Sequence, residues 1–203
     1  RNPSAELARR IAQSPRLRRV LGAPPQLLVL HTAYSAIPTQ LEPALAEKPD
    51  AVLMIGVART ARRLRVETRA RNRASVVYPD ASGRTHRVAL DPSGPAERRS
   101  KVAMQVLAAL RSQGCDARAS RDAGRYLCNA SYFRVLAEND RTAFLHIPPL
   151  PCDPARRAKL LEEWTRAGLA AAATKAGRKP RPADPPRPAR LACGGTAGPG
   201  GRR

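Results

Sequence analysis

The chain is 203 residues long, rich in Ala and Arg, poor in aromatics with a single Trp, and carries a formal net charge of +21 at pH 7. That length suits one domain with a true core, or a domain of about 175 residues followed by a tail. No stretch approaches the roughly 18 apolar residues of a membrane-spanning helix, so a spanning helix is excluded.

The charge is uneven. Lys175 to Arg203 holds eight Lys or Arg and one acidic residue, Asp184, so this stretch carries +7 and the remainder +14. Such charge speaks of solubility and of attraction to polyanions, not of fold. The basic residues are not interleaved with aromatics, and no Cys2His2 finger or RNP1 run appears. Weak, non-specific electrostatic attraction to nucleic acid is therefore the expectation. The four cysteines, 115, 128, 152 and 193, are separated by 13, 24 and 41 positions. None forms a CxxC pair and the histidines do not cluster, which argues against a structural metal. Scattered cysteines in a chain of this length fit a reducing compartment, so a cytoplasmic location is expected. The chain starts at Arg1 rather than Met, which points to a missing N-terminus and leaves a removed signal open.

In chain order, Asn2-Pro3-Ser4 reads as a turn and helix cap, followed by Leu7, Ala8 and Ile11 at helical spacing. Pro15 and Pro24-Pro25 bound a linker. Leu27 to Leu30 is a short continuous apolar run, the pattern of a strand covered on both faces. Thr39-Gln-Leu-Glu42 matches a capping box ahead of a short helix carrying Leu41 and Leu45. Pro49-Asp50 ends that helix, and Ala51 to Ile55 is the strongest buried-strand candidate. Leu64, Val66 and Val76-Val77 alternate with polar residues, suggesting one or two more exposed strands around Glu67. Tyr78 to Pro95 is loop-like. Val102, Val106, Leu107 and Leu110 form a helical stripe ending near Gly114. Cys128 to Glu138 reads as a helix and Thr142 to Ile147 as a strand. Asp153-Pro154 suits the start of a long final helix carrying Leu160, Leu161, Trp164 and Leu169. From about Lys175 the Pro, Gly and Arg content predicts a disordered tail over 175–203.

Strands alternating with helices over residues 1–174 predict a single α/β domain. Its sheet is doubly wound and mostly parallel, with helices on both faces in a three-layer sandwich. Ligands then belong at the carboxyl ends of strands. Cys128 follows the tight Ala123-Gly124 turn at a helix start, where free backbone N–H groups and the helix dipole favour a thiolate. His146 closes an apolar run halted by Pro148. Acyl transfer by a cysteine needs a thiolate, a base that carries the proton to the leaving amine, and a group that orients the base. Cys128, His146 and Glu67 supply those three types, with the Cys128 backbone N–H as an oxyanion donor. Taken separately each has an ordinary reading. Cys128 fits a small buried hydrophobe, His146 a core histidine, Glu67 an ion-pair partner of Arg65, Arg69 or Arg71, and Asn72 and Asn129 routine caps.

Three segments together resemble the pyroglutamyl peptidase type I, or pyrrolidone-carboxylate peptidase, family. Gly56-Val-Ala58, followed by Leu64 and Glu67-Thr-Arg-Ala70-Arg-Asn72, is similar to the family's Gly-Gln-Ala…Ile-x-x-Glu-Arg-x-Ala-x-Asn block. Ser120-x-x-Ala123-Gly124-x-Tyr126-x-Cys128-Asn129 resembles its nucleophile block. Phe144-Leu-His146-Ile-Pro148-x-x-Pro151 resembles its Gly-Phe-Ile-His-Val-Pro block. The order Glu, Cys, His matches too.

The resemblance implies a cysteine peptidase that removes N-terminal pyroglutamate from peptides without metal or cofactor. Cys128 would be the nucleophile, His146 the general base and acid, Glu67 the orienting carboxylate, and Asn72, Asn129 and Val57 would contact substrate. It also implies self-association into a homo-oligomer, and a first strand and pocket loop lying upstream of Arg1. Departures are visible. Val57 stands where the family has Gln, Arg59-Thr60-Ala61 where it has Gly-Gly-Arg, with Arg62 one position late, and the stretch between Cys128 and His146 is shorter. The alternatives to a working peptidase are a catalytically silent relative and a basic nucleic-acid-binding protein.

Overall fold

The computed structural model describes residues 2–85 and 89–175. The tail predicted over 175–203, with Cys193, lies outside the described residues apart from Lys175. Helix α1, Pro3–Ala12, starts where the Asn2 side chain accepts a hydrogen bond from Ser4 N at 3.0 Å, and it buries Leu7 and Ile11. A second helix, α2, spans Pro15–Leu21 and stops at Gly22, whose φ of +76° suits a residue without Cβ. A π-helical turn, Ile37–Leu41, runs straight into α3, Glu42–Ala46. Strands β1, Val52–Val57, β2, Leu64–Glu67, β3, Arg69–Arg71, and β4, Glu97–Arg99, follow. Then come α4, Ala103–Ser112, β5, Ala117–Ser120, α5, Leu127–Glu138, β6, Thr142–Ile147, and α6, Pro154–Lys175. Asp153 caps α6 by accepting from Arg156 N at 2.6 Å.

The main sheet has the order β1-β6-β2-β5, and β3 pairs with β4 in a separate antiparallel ladder. β1 runs parallel to β6, and β2 parallel to β5. The junction between the halves is antiparallel, with Arg65 opposite His146 and Glu67 opposite Phe144. The result is a mixed, mostly parallel sheet of α/β type with helices on both faces. One face carries Leu53, Ile55, Leu64, Val66, Ala143, Leu145 and Ile147 against α1, α4 and α6, with Trp164 and Leu161 in the same cluster. The other carries Met54, Phe144 and Glu67 and is covered by α5 through Tyr132, Phe133 and Leu136. β6 is the shared wall, buried at all six positions.

Several local expectations are corrected. The linker expected between Pro15 and Pro24 contains α2, because Pro15 supplies a preset φ at the first helical position. The strand expected at Leu27 to Leu30 joins no ladder among the described residues. Leu27, Leu28 and Val29 are 40–43% exposed, and the segment is tied down by side chains, with Gln26 Nε2 donating to Glu47 and His31 N to Gln40. The capping box at Thr39 does not form, since the chain is already helical there and the Thr39 hydroxyl donates back to Ser35 O at 2.7 Å. Val76 and Val77 are exposed and outside any strand. β1, the strongest buried-strand candidate by sequence, pairs among the described residues with β6 alone and is half-buried at five of six positions.

Candidate active site

Cys128 sits in the first turn of α5. The chain reaches it through Gly124, which adopts φ +88°, and the extended Tyr126, which provides no side-chain cap. The first-turn N–H groups of a helix have no partner within it and carry the positive end of the dipole. The sulfur lies over β1 and β6. A Cβ placed on Gly56 would stand 3.1 Å from the Cys128 sulfur and 2.9 Å from the Phe144 ring, so only glycine leaves room for the thiol to rest on the sheet here.

His146 and Glu67 meet by strand register. Residues directly opposite on antiparallel strands share a face, as do residues two apart along one strand. Glu67 lies opposite Phe144, and His146 is two residues further along β6, so carboxylate and imidazole are diagonal neighbours. His146 Nδ1 stands 2.8 Å from Glu67 Oε1. The two residues therefore do not share a carboxyl rim. Glu67 ends its strand, but that strand runs against β6. The Cys128 sulfur rests above Gly56, the residue that pairs with His146 across β1 and β6, so thiol and imidazole lie on the same face of the sheet. Burial disfavours the imidazolium, but the neighbouring Cys128 and then Glu67 outweigh it and hold the ring's pKa up at about 9. Glu67 is completely buried, and its second carboxylate oxygen, Oε2, is buried without a hydrogen-bond partner.

A pillar of rings supports this contact. Tyr132 packs against Phe144 with centroids 5.3 Å apart and Phe144 against His146 at 4.7 Å, the planes tilted by 54° and 50°. The Tyr132 hydroxyl donates to the Glu67 backbone carbonyl at 2.9 Å. Sequence reasoning missed Tyr132, although its spacing of four from Cys128 sets both on one side of α5.

The remaining predicted contacts are placed differently. Asn129 is fully buried, accepting from Arg71 N at 2.8 Å and donating to the Arg71 and Arg73 carbonyls, so it anchors α5 to β3. Asn72 accepts from Leu90 N and Asp91 N and donates to Asp91 O and Gly94 O, clamping a loop. Both amides are engaged by their own chain. Val57 packs against the apolar cluster on the far face of the sheet. Among the described residues no group of three or more His, Cys, Asp or Glu is placed to hold a metal.

Residues 2–172 match the family described as pyroglutamyl peptidase. The pyrrolidone-carboxylate peptidase of Gloeobacter violaceus is 30% identical over 158 residues, covering 74% of this chain and 75% of that protein. That of Vibrio vulnificus is 30% identical over 163 residues, covering 74% and 72%. The crystal structure of the Thermus thermophilus pyrrolidone carboxyl peptidase superposes with a TM-score of 0.71 at 31% identity, over 84% of this chain and 91% of that one. A mutant Pyrococcus furiosus enzyme shares the fold with a TM-score of 0.72 at 21% identity, over 86% and 91%. By sequence over nearly the whole described region and by fold, the chain belongs to the pyroglutamyl peptidase family.

Proposed function

We propose that this protein removes pyroglutamate from the N-terminus of peptides as a cysteine peptidase, with Cys128, His146 and Glu67 as its triad. The observation that carries the reading is the buried imidazole with a carboxylate 2.8 Å from one nitrogen and a thiol over the glycine beside it on the same face. In this reading the Cys128 thiolate attacks the carbonyl carbon of the pyroglutamyl bond, and the oxyanion takes hydrogen bonds from N–H groups of the first turn of α5. His146 gives its proton to the departing amine as the carbon–nitrogen bond breaks, leaving a thioester on Cys128. The neutral ring then takes a proton from water, the hydroxide attacks the thioester, and pyroglutamate leaves as the thiol group is restored. Glu67 fixes the tautomer and stabilises the imidazolium in both halves.

The test uses the full chain and a pyroglutamyl fluorogenic amide, with and without iodoacetamide, and with Cys128→Ser. Hydrolysis that both the alkylating agent and the substitution abolish, by about 10³-fold or more, is the expected result. Hydrolysis that survives Cys128→Ser would overturn the assignment.

A further inference from the structure

The row of residues that crosses the sheet at His146 continues past it. On the site's face the register runs Gly56, His146, Arg65, Arg118 across β1, β6, β2 and β5. Arg65 is directly opposite the imidazole-bearing residue, and Arg118 is directly beside Arg65. The neighbouring positions on β2 and β5, Leu64, Val66 and Ala117, point the other way into the apolar core, so both arginines share the face of Glu67 and His146. Like charges held opposite each other on adjacent strands are unfavourable unless an acid lies between them. None of the described ion pairs uses either arginine. The carboxylate on the same face, Glu67, is engaged by His146, and the acid closest in sequence, Asp116, pairs with Arg63 at 3.3 Å. Arg118 is exposed and Arg65 half-buried, so the pair opens to solvent beside the triad. Exposed Arg59 and Arg62, in the loop that carries the chain from β1 to β2, add to the same rim.

We infer that Arg65 and Arg118 form a carboxylate-binding subsite for the leaving side of the substrate, giving preference for peptides with an acidic residue directly after the pyroglutamyl group. This rests on the peptidase reading above. Two guanidinium groups side by side suit a carboxylate, which each can grip through paired N–H donors. Because the arginines stand across β6 from Gly56 and the sulfur, a side chain leaving the scissile bond on the His146 side is the one that meets them.

The experiment compares two peptides of nearly equal shape, pyroglutamyl-Asp-Ala amide and pyroglutamyl-Asn-Ala amide. At low salt the Asp peptide is expected to show a kcat/KM about three- to tenfold higher, mostly through KM, as partly exposed ion pairs allow. Raising the salt should shrink the ratio, and the double substitution Arg65→Gln, Arg118→Gln should bring it close to one. Equal rates for the two peptides, or a ratio unmoved by the double substitution in a protein with unchanged circular dichroism, would overturn the inference. Binding of the same peptides to Cys128→Ala protein, followed by calorimetry, keeps the two proposals apart. If neither peptide is cleaved, the peptidase reading fails. Tighter binding of the Asp peptide still supports the carboxylate subsite, and equal binding or none overturns it.

Discussion

The two faces of the central sheet are built from the same strands and do opposite work. On one, Ala143, Leu145 and Ile147 alternate out of β6 and join Leu64 and Val66 in a dry layer against α1, α4 and α6. On the other, Thr142, Phe144 and His146 of that strand face α5, with Glu67 across the ladder and Gly56 alongside. The apolar face gains free energy from area removed from water and is indifferent to direction. The opposite face holds an ionisable pair in a buried place, where only hydrogen bonds and a charge partner make it tolerable. One strand of period two thus anchors the fold with its odd residues and orients an imidazole with its even ones. The rigidity of the first set is what holds the second set in place.

The sharpest way to break this division is to remove charge from the polar face without changing its shape. Glu67→Gln keeps an oxygen for His146 but discards the negative charge that stabilises the imidazolium. Turnover of a pyroglutamyl amide should fall by about 10²–10⁴-fold, with circular dichroism unchanged. The complementary cut is Leu145→Ala on the apolar face, where the side chain is 1% exposed. It should lower unfolding free energy by about 2–5 kcal/mol in urea titration, through lost transfer energy and the cavity left behind. The fraction that remains folded should keep its turnover. If Leu145→Ala instead reduced kcat as severely as Glu67→Gln while stability held, the two faces would not be separable.

How much of this was legible beforehand follows the same line. Elements whose signals are local were read well, because caps and periodicity are properties of the segment itself. The Asn2 cap, the stripe of α4, the bounds of β6 and the Asp153-Pro154 start of α6 are of this kind. What depends on neighbours was not. Apolar runs at Leu27 to Leu30 and in β1 look like covered strands, yet burial is decided by what lies alongside, and among the described residues one joins no ladder and the other pairs with β6 alone. The antiparallel junction between β2 and β6 is equally silent, since a strand's residues do not state its direction. The three site residues were singled out by chemistry and by resemblance, and the strand register accounts for the contact between two of them, Glu67 and His146. Asn72 and Asn129 sit in similar-looking motifs and bond to the chain's own backbone, Asn72 to the loop at 90–94 and Asn129 to β3, because an amide next to unpaired backbone groups is drawn to them.

A gentler cut uses pH. His146 titrates at about 9 in the folded protein, against about 6.5 for an unperturbed histidine. The folded state therefore holds that proton more tightly than the unfolded chain. The resulting stabilisation is complete below about pH 6.5 and is lost as the pH rises from there through about 9. The urea midpoint should decline across that window in the native protein. In Glu67→Gln the decline should be shallower, because one of the two neighbouring groups that raise the ring's affinity for a proton has lost its charge. A midpoint that is flat between pH 6.5 and 9 would show that the imidazole gains nothing from its partners.

The smallest expected effect tests whether the ring pillar belongs to the polar face or merely fills it. Tyr132→Phe keeps the tilted ring contact with Phe144 but removes the hydroxyl that donates to the Glu67 carbonyl. Burial pushes the Tyr132 phenol above its ordinary pKa, so the donor keeps its proton at any working pH. Losing one buried neutral hydrogen bond should cost about 1 kcal/mol of stability. A residue that only packs would stop there. If the hydroxyl also fixes where the Glu67 backbone lies, the carboxylate loses some of its alignment on His146, and kcat should drop about two- to tenfold with KM little changed. The contrast with Leu145→Ala is then complete. On the apolar face a large loss of stability leaves the rate alone, while beside the imidazole a small loss of stability carries a loss of rate with it. Equal kcat for Tyr132→Phe and the native protein would assign the phenol to packing.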